Sequence, residues 1–288
     1  MSAPDAHDIP GTLRLGDGRQ LAYARSHEPG SRRVLFCHGT PGSRLFRPPD
    51  PMLPASLDID FVTVDRPGYG RSTRQPHRSL LDWPADVRAI ADHLGWDRFT
   101  VIGISGGGPH ALACALRLPG RVTAVGLVSS VAPFWPGALQ GMLATTRRGF
   151  QLAHLAPWLL ILAARRMARN PEGFLSRLRR ELPDPDRRIL ARPDVAAVVA
   201  ENAREALVSD ETANEMVLLR RDWGFTPADI AVPVVLWHGE ADRNVPVTHG
   251  RRLAAALPDC RPTFVPDAGH YLIFDRWAHV LSSTAESN

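Results

Sequence analysis

Short apolar runs separated by amphipathic stretches constrain the fold of this chain more than any other feature of its sequence. The runs lie at residues 34–37, 61–64, 99–104, 122–128 and 234–237, and each is rich in β-branched or bulky side chains. Continuous hydrophobicity over so few residues is typical of strands that are buried on both faces. Helical patterns separate several of them, at residues 80–94, 109–118 and 248–257. Strands that alternate with helices predict an α/β fold with a mostly parallel central sheet flanked by helices.

One long interruption of this alternation predicts an insertion. Between residues 134 and 223 the sequence has helical periodicity and no convincing strand, and the strand pattern resumes near Val234. We therefore expect a core domain, residues 1–135 and 224–288, with a helical cap, residues 136–223, inserted before the strand at Val234. Residues 12–15 and 20–25 flank Gly16-Asp17-Gly18, a turn sequence suited to positive φ, and predict a hairpin that opens the core.

A glycine-rich turn provides the sharpest chemical signal. Gly103-Ile104-Ser105-Gly106-Gly107 follows the apolar run 99–104 and precedes a helical pattern. This is the G-x-S-x-G pattern of a nucleophile elbow in the context that it requires, a strand followed by a helix. The glycines, including Gly103 and Gly107, let the chain reverse tightly where helix and strand pack closely. Ser105 is therefore the candidate nucleophile.

The base and the acid that a catalytic serine needs have candidates later in the chain. A serine hydroxyl is a weak nucleophile at neutral pH, and the base that activates it is itself oriented by an acid. Asp242 follows the apolar run 234–237, and His270 follows a strand-like segment at residues 263–265. From the residues alone, Glu240 and Asp267 remain competitors of Asp242 for the role of the acid.

Five segments of the chain resemble the capped bacterial hydrolases of the α/β-hydrolase superfamily, in its esterase and proline iminopeptidase-like branch. They read HGTPG at 38–42, DRPGYGRS at 65–72, GISGGG at 103–108, HGEADRNVP at 238–246 and GH at 269–270. The chain order Ser, Asp, His also matches that fold. The resemblance covers residues 12–279 and implies that Asp242 is the triad acid and His270 the general base.

The resemblance also implies which groups would stabilise negative charge on the substrate. A tetrahedral intermediate needs fixed N–H donors, and this fold takes one from the residue after the nucleophile and one from the loop after an early strand. Here these residues are Gly106 and Thr40. His38 and Gly39 belong to the same loop as Thr40, and His38 is expected to orient the loop rather than to act as a second base.

Composition excludes several other chemistries. The 34 residues counted as lysine or arginine are all arginine, which excludes a Walker-type phosphate loop, a Schiff-base lysine and a Ser–Lys dyad. Three widely spaced cysteines form neither a disulfide framework nor a zinc pattern. Since metal-ligand spacing and a dinucleotide fingerprint are also missing, we expect no cofactor.

The expected partner is a small-molecule substrate. The arginines are interspersed with 30 acidic residues, and the net charge is only +4. Without a long basic run, this pattern does not favour nucleic-acid binding. The apolar run 155–164 is too short to span a bilayer, and residues 1–10 lack the apolar core of a signal peptide, so we expect a cytoplasmic protein with no membrane span. A homo-oligomer is compatible with the sequence.

The insertion carries an apolar block, residues 152–162, flanked by Arg147-Arg148 and Arg165-Arg166. Three interpretations stay open: a helix packed between cap and core, a helix that lines an apolar substrate pocket, and an interfacial membrane helix. Phe134, Trp135 and Trp158 are the predicted pocket residues.

Hydrolysis of a carboxylic ester of a small, largely apolar substrate is the predicted activity, with an acyl-enzyme on Ser105. The alternatives are a C–C bond hydrolase of a ring-cleavage product, an aminopeptidase and a non-hydrolytic ligand-binding member of the fold. For a peptidase, acidic residues of the insertion would recognise the substrate amine, although solvated helix faces are the simpler interpretation of these charges. The candidates are Glu201, Glu205, Glu211 and Glu215.

Overall fold

A computed structural model of the chain describes residues 9–26, 29–170, 173, 176, 179–207 and 211–285. Its strands are β1 (Ile9–Arg14), β2 (Gln20–Arg25), β3 (Arg32–Cys37), β4 (Ile59–Val64), β5 (Phe99–Ile104), β6 (Val122–Val128), β7 (Val234–Gly239) and β8 (Cys260–Val265). They form one sheet in the order β1-β2-β4-β3-β5-β6-β7-β8. The pairs β1–β2 and β2–β4 are antiparallel, and the remaining pairs are parallel. The predicted α/β fold with a mostly parallel sheet is confirmed.

The apolar runs locate the central strands well. β5 and β6 have the predicted bounds, and the predicted opening hairpin is formed by β1 and β2. β3 and β4 each begin two residues earlier than predicted. Strands pair through backbone hydrogen bonds, so polar residues such as Arg33 and the opposite Asp60 can also belong to them. The buried Asp60 carboxylate accepts hydrogen bonds from Arg25 at 2.7 and 2.8 Å and from the Trp96 indole at 2.9 Å.

Helices cover both faces of the sheet. Those with described bounds are α1 (Leu53–Ser56), α2 (Trp83–His93), α3 (Gly108–Arg117), α4 (Ala144–Leu155), α5 (Pro157–Ala168), α6 (Asp184–Leu190), α7 (Pro193–Ala206), α8 (Glu211–Arg220), α9 (Val247–Ala256) and α10 (Ile273–Ala285). α2, α3 and α9 pack on one face, and α1 and α10 pack on the other. None of the described helices is long and apolar enough to cross a membrane.

Helices α4 to α8 lie between β6 and β7, where the sequence predicts an insertion. α4, α5 and α8 pack together around Ala153, Leu160 and Ala213. Side chains of α6 and α7 join the apolar core on the α10 face of the sheet. The division into a core, residues 1–135 and 224–288, and a cap, residues 136–223, stays a prediction, and its ends at residues 1–8 and 286–288 lie outside the described residues.

An aromatic cluster joins α10 to the sheet. The Trp277 ring lies 5.2 Å from Phe36, 6.1 Å from Phe46, 6.0 Å from Phe61 and 6.5 Å from Phe274, measured between ring centroids. Aromatic pairs at these separations add to the free energy of apolar burial. The indole of Trp277 is therefore a major contact between the last helix and the strands that carry the site.

Replacement of Trp277 tests this packing. Trp277 is 3% exposed, so Trp277→Ala should leave a cavity and lower the free energy of unfolding by about 3–5 kcal/mol in urea denaturation. Trp158→Ala is the matched control, because Trp158 is 67% exposed and its removal should change stability by about 0.5 kcal/mol or less. Equal losses in the two variants would contradict the assignment of Trp277 to the core.

Candidate active site

Ser105 occupies a sharp turn between β5 and α3. Its φ of 54° lies in the left-handed region, where a non-glycine residue has strain on the order of 1–3 kcal/mol, typical of functional sites. Ser105–Gly107 forms one 3-10 turn that leads directly into α3. A side chain at Gly103 would collide with the backbone of Gly107, and one at Gly107 with the backbone of Cys37. The glycines therefore allow the turn that presents the Ser105 hydroxyl at the carboxyl end of β5.

The loop after β3 lies beside this turn, because β3 and β5 are hydrogen-bonded neighbours. Gly39, Thr40 and Gly106 line the same cavity as Ser105. A side chain at position 106 would collide with the Thr40 hydroxyl, so the two residues predicted to stabilise an oxyanion are close together. The arrangement places backbone from two different loops next to the candidate nucleophile.

Asp242 and His270 form a hydrogen-bonded pair beyond the carboxyl ends of β7 and β8. Since a carboxylate only accepts, Nδ1–H of His270 donates to Oδ2 of Asp242, at 2.7 Å. Oδ1 of Asp242 accepts the backbone N–H groups of Asn244 at 2.8 Å and Val245 at 2.9 Å. This tautomer leaves Nε2 of His270 as the basic nitrogen, and His270 lines the cavity together with Ser105.

The Asp242 carboxylate tunes the basicity of His270. Burial by itself would lower the pKa of His270, but the attraction of Asp242 for the imidazolium outweighs burial and raises the pKa. Glu240, a predicted competitor for the role of acid, instead pairs with Arg251 at 3.0 Å at the surface. Asp242 is thus the carboxylate that orients the ring.

Two polar groups outside the predicted set hold the loop that carries His270. Asp186 of α6 is buried and accepts the backbone N–H of Tyr271 at 2.8 Å. The Ser129 hydroxyl donates to the carbonyl of His270 at 3.3 Å. Burial raises the pKa of Asp186. The insertion therefore helps to position the candidate base.

His38 is buried below the loop after β3. Its Nδ1 donates to the carbonyl of Gly39 at 2.9 Å, and its Nε2 accepts the backbone N–H of Arg66 at 3.2 Å. Burial and the nearby Arg66 charge hold the pKa of His38 well below its usual range. Because both ring nitrogens are engaged and the ring is neutral, His38 serves to orient the loop.

A buried carboxylate of the insertion lies against this same region. Glu215 of α8 is fully buried, and its Oε2 accepts a hydrogen bond from Arg78 at 2.7 Å. Its Oε1 lies 3.3 Å from Nε of Arg66 and 2.9 Å from Nε2 of His110. Burial would raise the pKa of Glu215, but these three partners outweigh burial and hold it well below its usual range. Burial lowers the pKa of His110 to about 4, so the two arginines supply the positive charge.

The partners of Glu215 also contact both predicted oxyanion residues. Nδ1 of His110 lies 3.1 Å from the carbonyl oxygen of Gly106. The sequence analysis missed this network, because the partners of Glu215 lie far earlier in the chain and no local pattern joins them to it. Arg66 donates to the carbonyls of His38 and Gly39 and, at 3.2 Å, to the hydroxyl of Thr40.

Ser105 and His270 open onto one cavity of about 350 Å³. Its wall is mostly apolar, and its polar lining residues include Arg148 and Glu181. In the part of the chain that the structure describes, no three His, Cys, Asp or Glu side chains are grouped so as to hold a metal ion. Apolar lining residues include Phe46, Ile104, Phe150, Leu160, Met216 and Leu219.

The three aromatic residues predicted for the pocket do not line this cavity, so that prediction was wrong. Trp158 points outward from α5, because Leu160, two residues later, points inward and residues two apart on a helix face different sides. The other two rings lie behind the cavity wall. Phe134 packs against Phe150 at 4.8 Å, and Trp135 packs against His249 at 4.7 Å and Arg252 at 4.5 Å.

Comparison with known proteins identifies the family. Residues 32–276 match the family described as alpha/beta hydrolase fold. The chain belongs to the α/β-hydrolase family. This α/β hydrolase is 34% identical over 138 residues to a serine hydrolase-like protein of Danio rerio, which covers 46% of the chain and 40% of that protein. The chain therefore spans less than half of that relative's length.

Two further proteins resemble this α/β hydrolase over nearly their whole length. It is 26% identical over 274 residues to a 2-hydroxy-6-oxononadienedioate/2-hydroxy-6-oxononatrienedioate hydrolase of Pseudomonas putida, with 90% of this chain and 87% of that protein covered. A solved esterase from Thermogutta terrifontis superimposes with a TM-score of 0.70 and 20% identity, over 96% of this chain and 97% of that chain. At that identity, the likeness to the esterase shows the fold.

Replacement of Glu215 tests the buried network. Glu215→Gln removes the negative charge between Arg66 and Arg78, and an unpaired buried charge should lower the free energy of unfolding by roughly 3 kcal/mol in urea denaturation. Glu201→Gln is the matched control, because Glu201 pairs with Arg47 at 2.9 Å but is itself 45% exposed, and its loss should cost about 1 kcal/mol or less. An equally small effect at both positions would show that the Glu215 charge does not hold this region together.

Proposed function

We propose that this α/β hydrolase is a serine hydrolase that cleaves a carboxylic ester of a small, largely apolar substrate. The observation that carries the proposal is the Asp242–His270 pair, bonded at 2.7 Å, which opens onto the same apolar cavity as the strained Ser105 turn. A nucleophile, an oriented base and oxyanion donors around one cavity are the parts that acyl transfer requires.

Acylation starts with attack of the Ser105 hydroxyl oxygen on the ester carbonyl carbon. Nε2 of His270 takes the hydroxyl proton, and Asp242 stabilises the imidazolium that forms. The carbonyl oxygen becomes an oxyanion, and the backbone N–H groups of Gly106 and Thr40 stabilise it. His270 then returns the proton to the leaving alcohol, and the acyl group remains on Ser105.

Deacylation repeats these steps with water as the nucleophile. His270 takes a proton from water, the hydroxide attacks the acyl carbonyl, and the same two N–H groups hold the second oxyanion. His270 then protonates the departing Ser105 oxygen, which releases a carboxylic acid and restores the enzyme. The cavity volume of about 350 Å³ suits a small substrate, since ligand cavities begin at roughly 300 Å³.

The acidic residues of the insertion favour an esterase over an aminopeptidase. A peptidase of the kind considered above would need free carboxylates that face the substrate amine. Each of the four candidates instead pairs with arginine, which neutralises its charge. The pairs are Glu201–Arg47 at 2.9 Å, Glu205–Arg44 at 2.6 Å, Glu211–Arg78 at 3.0 Å and Glu215–Arg78 at 2.7 Å.

The charge of the cavity wall favours an uncharged acyl chain over a dicarboxylate. The relative from Pseudomonas putida is named for hydrolysis of dienedioate and trienedioate compounds. Recognition of two carboxylates calls for several cationic groups, because desolvated anions need charged partners. Arg148 is the one arginine that lines the described cavity, and most of the remaining wall is apolar.

Removal of the nucleophile tests the acyl-enzyme directly. With a series of aryl esters from acetyl to dodecanoyl, Ser105→Ala should lower kcat by at least about 10³-fold. Intact-mass spectrometry of the wild type should detect an acyl adduct that this variant lacks. Ser56→Ala, which changes an exposed serine, should behave as wild type. Turnover that survives in Ser105→Ala would overturn the proposed mechanism.

Replacement of the acid should change both rate and pH dependence. Only neutral His270 accepts a proton, so wild-type kcat/KM should fall as pH decreases through the raised pKa of His270. Asp242→Asn should lower kcat by about 10³–10⁴-fold and move the acidic limb to lower pH, because the charge that raises the pKa is gone. The exposed control Asp97→Asn should leave the pH profile of kcat/KM unchanged. An unshifted limb in Asp242→Asn would exclude Asp242 as the partner of the base.

A further inference from the structure

The segment that contains α4 and α5 has an unusual charge balance. Residues 144–170 contain five arginines and a histidine but no aspartate or glutamate, although the chain as a whole has 30 acidic residues. The carboxylates later in the insertion pair with arginines of the core, as Glu205 does with Arg44 and Glu215 with Arg78. The α4–α5 segment cannot neutralise its own positive charge.

The same segment contains most of the large apolar side chains that are exposed in the described part of the chain. Six large hydrophobic residues are exposed among the described residues, and four of them lie between positions 155 and 162. Leu155 is 78% exposed, Trp158 67%, Leu159 38% and Leu162 61%. Isolated exposed hydrophobic residues are ordinary, but a contiguous patch marks an interaction surface.

These residues lie on one side of the two helices. α4 ends at Leu155 and α5 begins at Pro157, with Ala156 outside helical geometry at φ −152°. On α5, Trp158, Leu159 and Leu162 share a face with Arg165 and Arg166, because these positions repeat at helical spacing. We call Leu155, Trp158, Leu159, Leu162, Arg165 and Arg166 the cap stripe.

Apolar and basic residues of the cap stripe are separated along the helix axis. The apolar residues occupy the α4–α5 junction and the first half of α5, and the arginines begin about 5 Å beyond Leu162 at the helical rise. Apolar and basic side chains that share one exposed face are the combination that binds an anionic lipid surface, where the apolar groups enter the acyl boundary and the arginines meet the headgroups. Trp158 has a side chain that favours the membrane–water interface.

The opposite side of the same helices forms the cavity wall. Phe150 and Leu152 of α4 and Leu160 and Ala163 of α5 line the cavity, whereas no member of the cap stripe lines it. The cap stripe is therefore a separate outer surface, one helix away from the space that Ser105 and His270 share.

We propose that the cap stripe docks this protein on the surface of an anionic lipid bilayer. The apolar residues enter the acyl boundary, and Arg165 and Arg166 bind lipid phosphates.

A second copy of the chain fits the cap stripe less well, since a two-fold interface would place these arginines against their own copies. An acidic protein would need a matching apolar pocket, whereas a lipid surface accepts protruding side chains without one. Docking does not depend on the proposed function, although it would place the cavity beside lipid acyl groups.

Vesicle binding by the full chain tests the proposal. Flotation with phosphatidylglycerol vesicles should recover the protein, and phosphatidylcholine vesicles should recover less. The double variants Trp158→Ser/Leu162→Ser and Arg165→Glu/Arg166→Glu should each lower the partition coefficient at least about tenfold. Arg14→Glu/Arg88→Glu, which reverses two exposed arginines outside the insertion, should retain binding.

Tryptophan fluorescence supplies an independent readout. All seven tryptophans lie in the described residues, and Trp158 is the only one that is more than half exposed. Phosphatidylglycerol vesicles should shift the emission to shorter wavelength and protect it from acrylamide, and Trp158→Phe should abolish both effects. Circular dichroism and thermal unfolding of each variant verify that it is folded.

Three outcomes would overturn the proposal. The first is no binding to either vesicle, and the second is equal binding by the wild type and both cap-stripe variants. The third is concentration-dependent dimerisation that Trp158→Ser/Leu162→Ser abolishes, measured by sedimentation equilibrium, which would assign the cap stripe to self-association. Loss of esterase activity in Ser105→Ala with unchanged vesicle binding would leave docking intact, so the two proposals fail separately.

Discussion

The fully buried carboxylate of Glu215 is the interaction on which the arrangement of the site depends. A buried charge is stable only where opposite charges and hydrogen bonds replace its contacts with water. Arg66 and Arg78 provide that replacement. Through Glu215, α8 is therefore in contact with the turn after β4 and with α3. The same partners contact Thr40 and Gly106, the residues proposed to stabilise the oxyanion.

The parallel sheet provides the other constraint. β3, β5, β7 and β8 point in one direction, so the loops that follow them meet at one edge although they are far apart in sequence. Open α/β sheets bind ligands outside these carboxyl ends. The strained turn at Ser105 is held between a fully buried strand and a helix, whereas Asp242 and His270 lie on loops fixed by backbone hydrogen bonds. Rigid strands thus position residues whose own loops are irregular.

Local patterns were sufficient for the parts of the molecule that sequence analysis predicted. The sheet follows from short apolar runs. Ser105 directly follows one of them, and Asp242 and His270 each stand five residues after a predicted strand. The incorrect predictions concern contacts between residues that are far apart in the sequence. Periodicity indicates that a helix has an apolar side but does not tell which side meets the cavity, so Trp158 was chosen where Leu160 lines the wall. Glu215 was considered a candidate for binding a substrate amine or, more simply, a charge on a solvated helix face. The structure buries it instead, and its partners lie on other elements.

The two sides of the insertion differ in how they can move. Lifting α8 from the core would separate Glu215 from Arg66 and Arg78 and leave buried charges without their partners. α4 and α5 meet α8 through Ala153, Leu160 and Ala213, an apolar contact with no buried ion pair among the residues described there. Apolar contacts can slide and re-form with little electrostatic penalty. Under the proposed function, a substrate could therefore enter beneath α4 and α5 while α8 and the loop after β3 keep their contacts with Arg66.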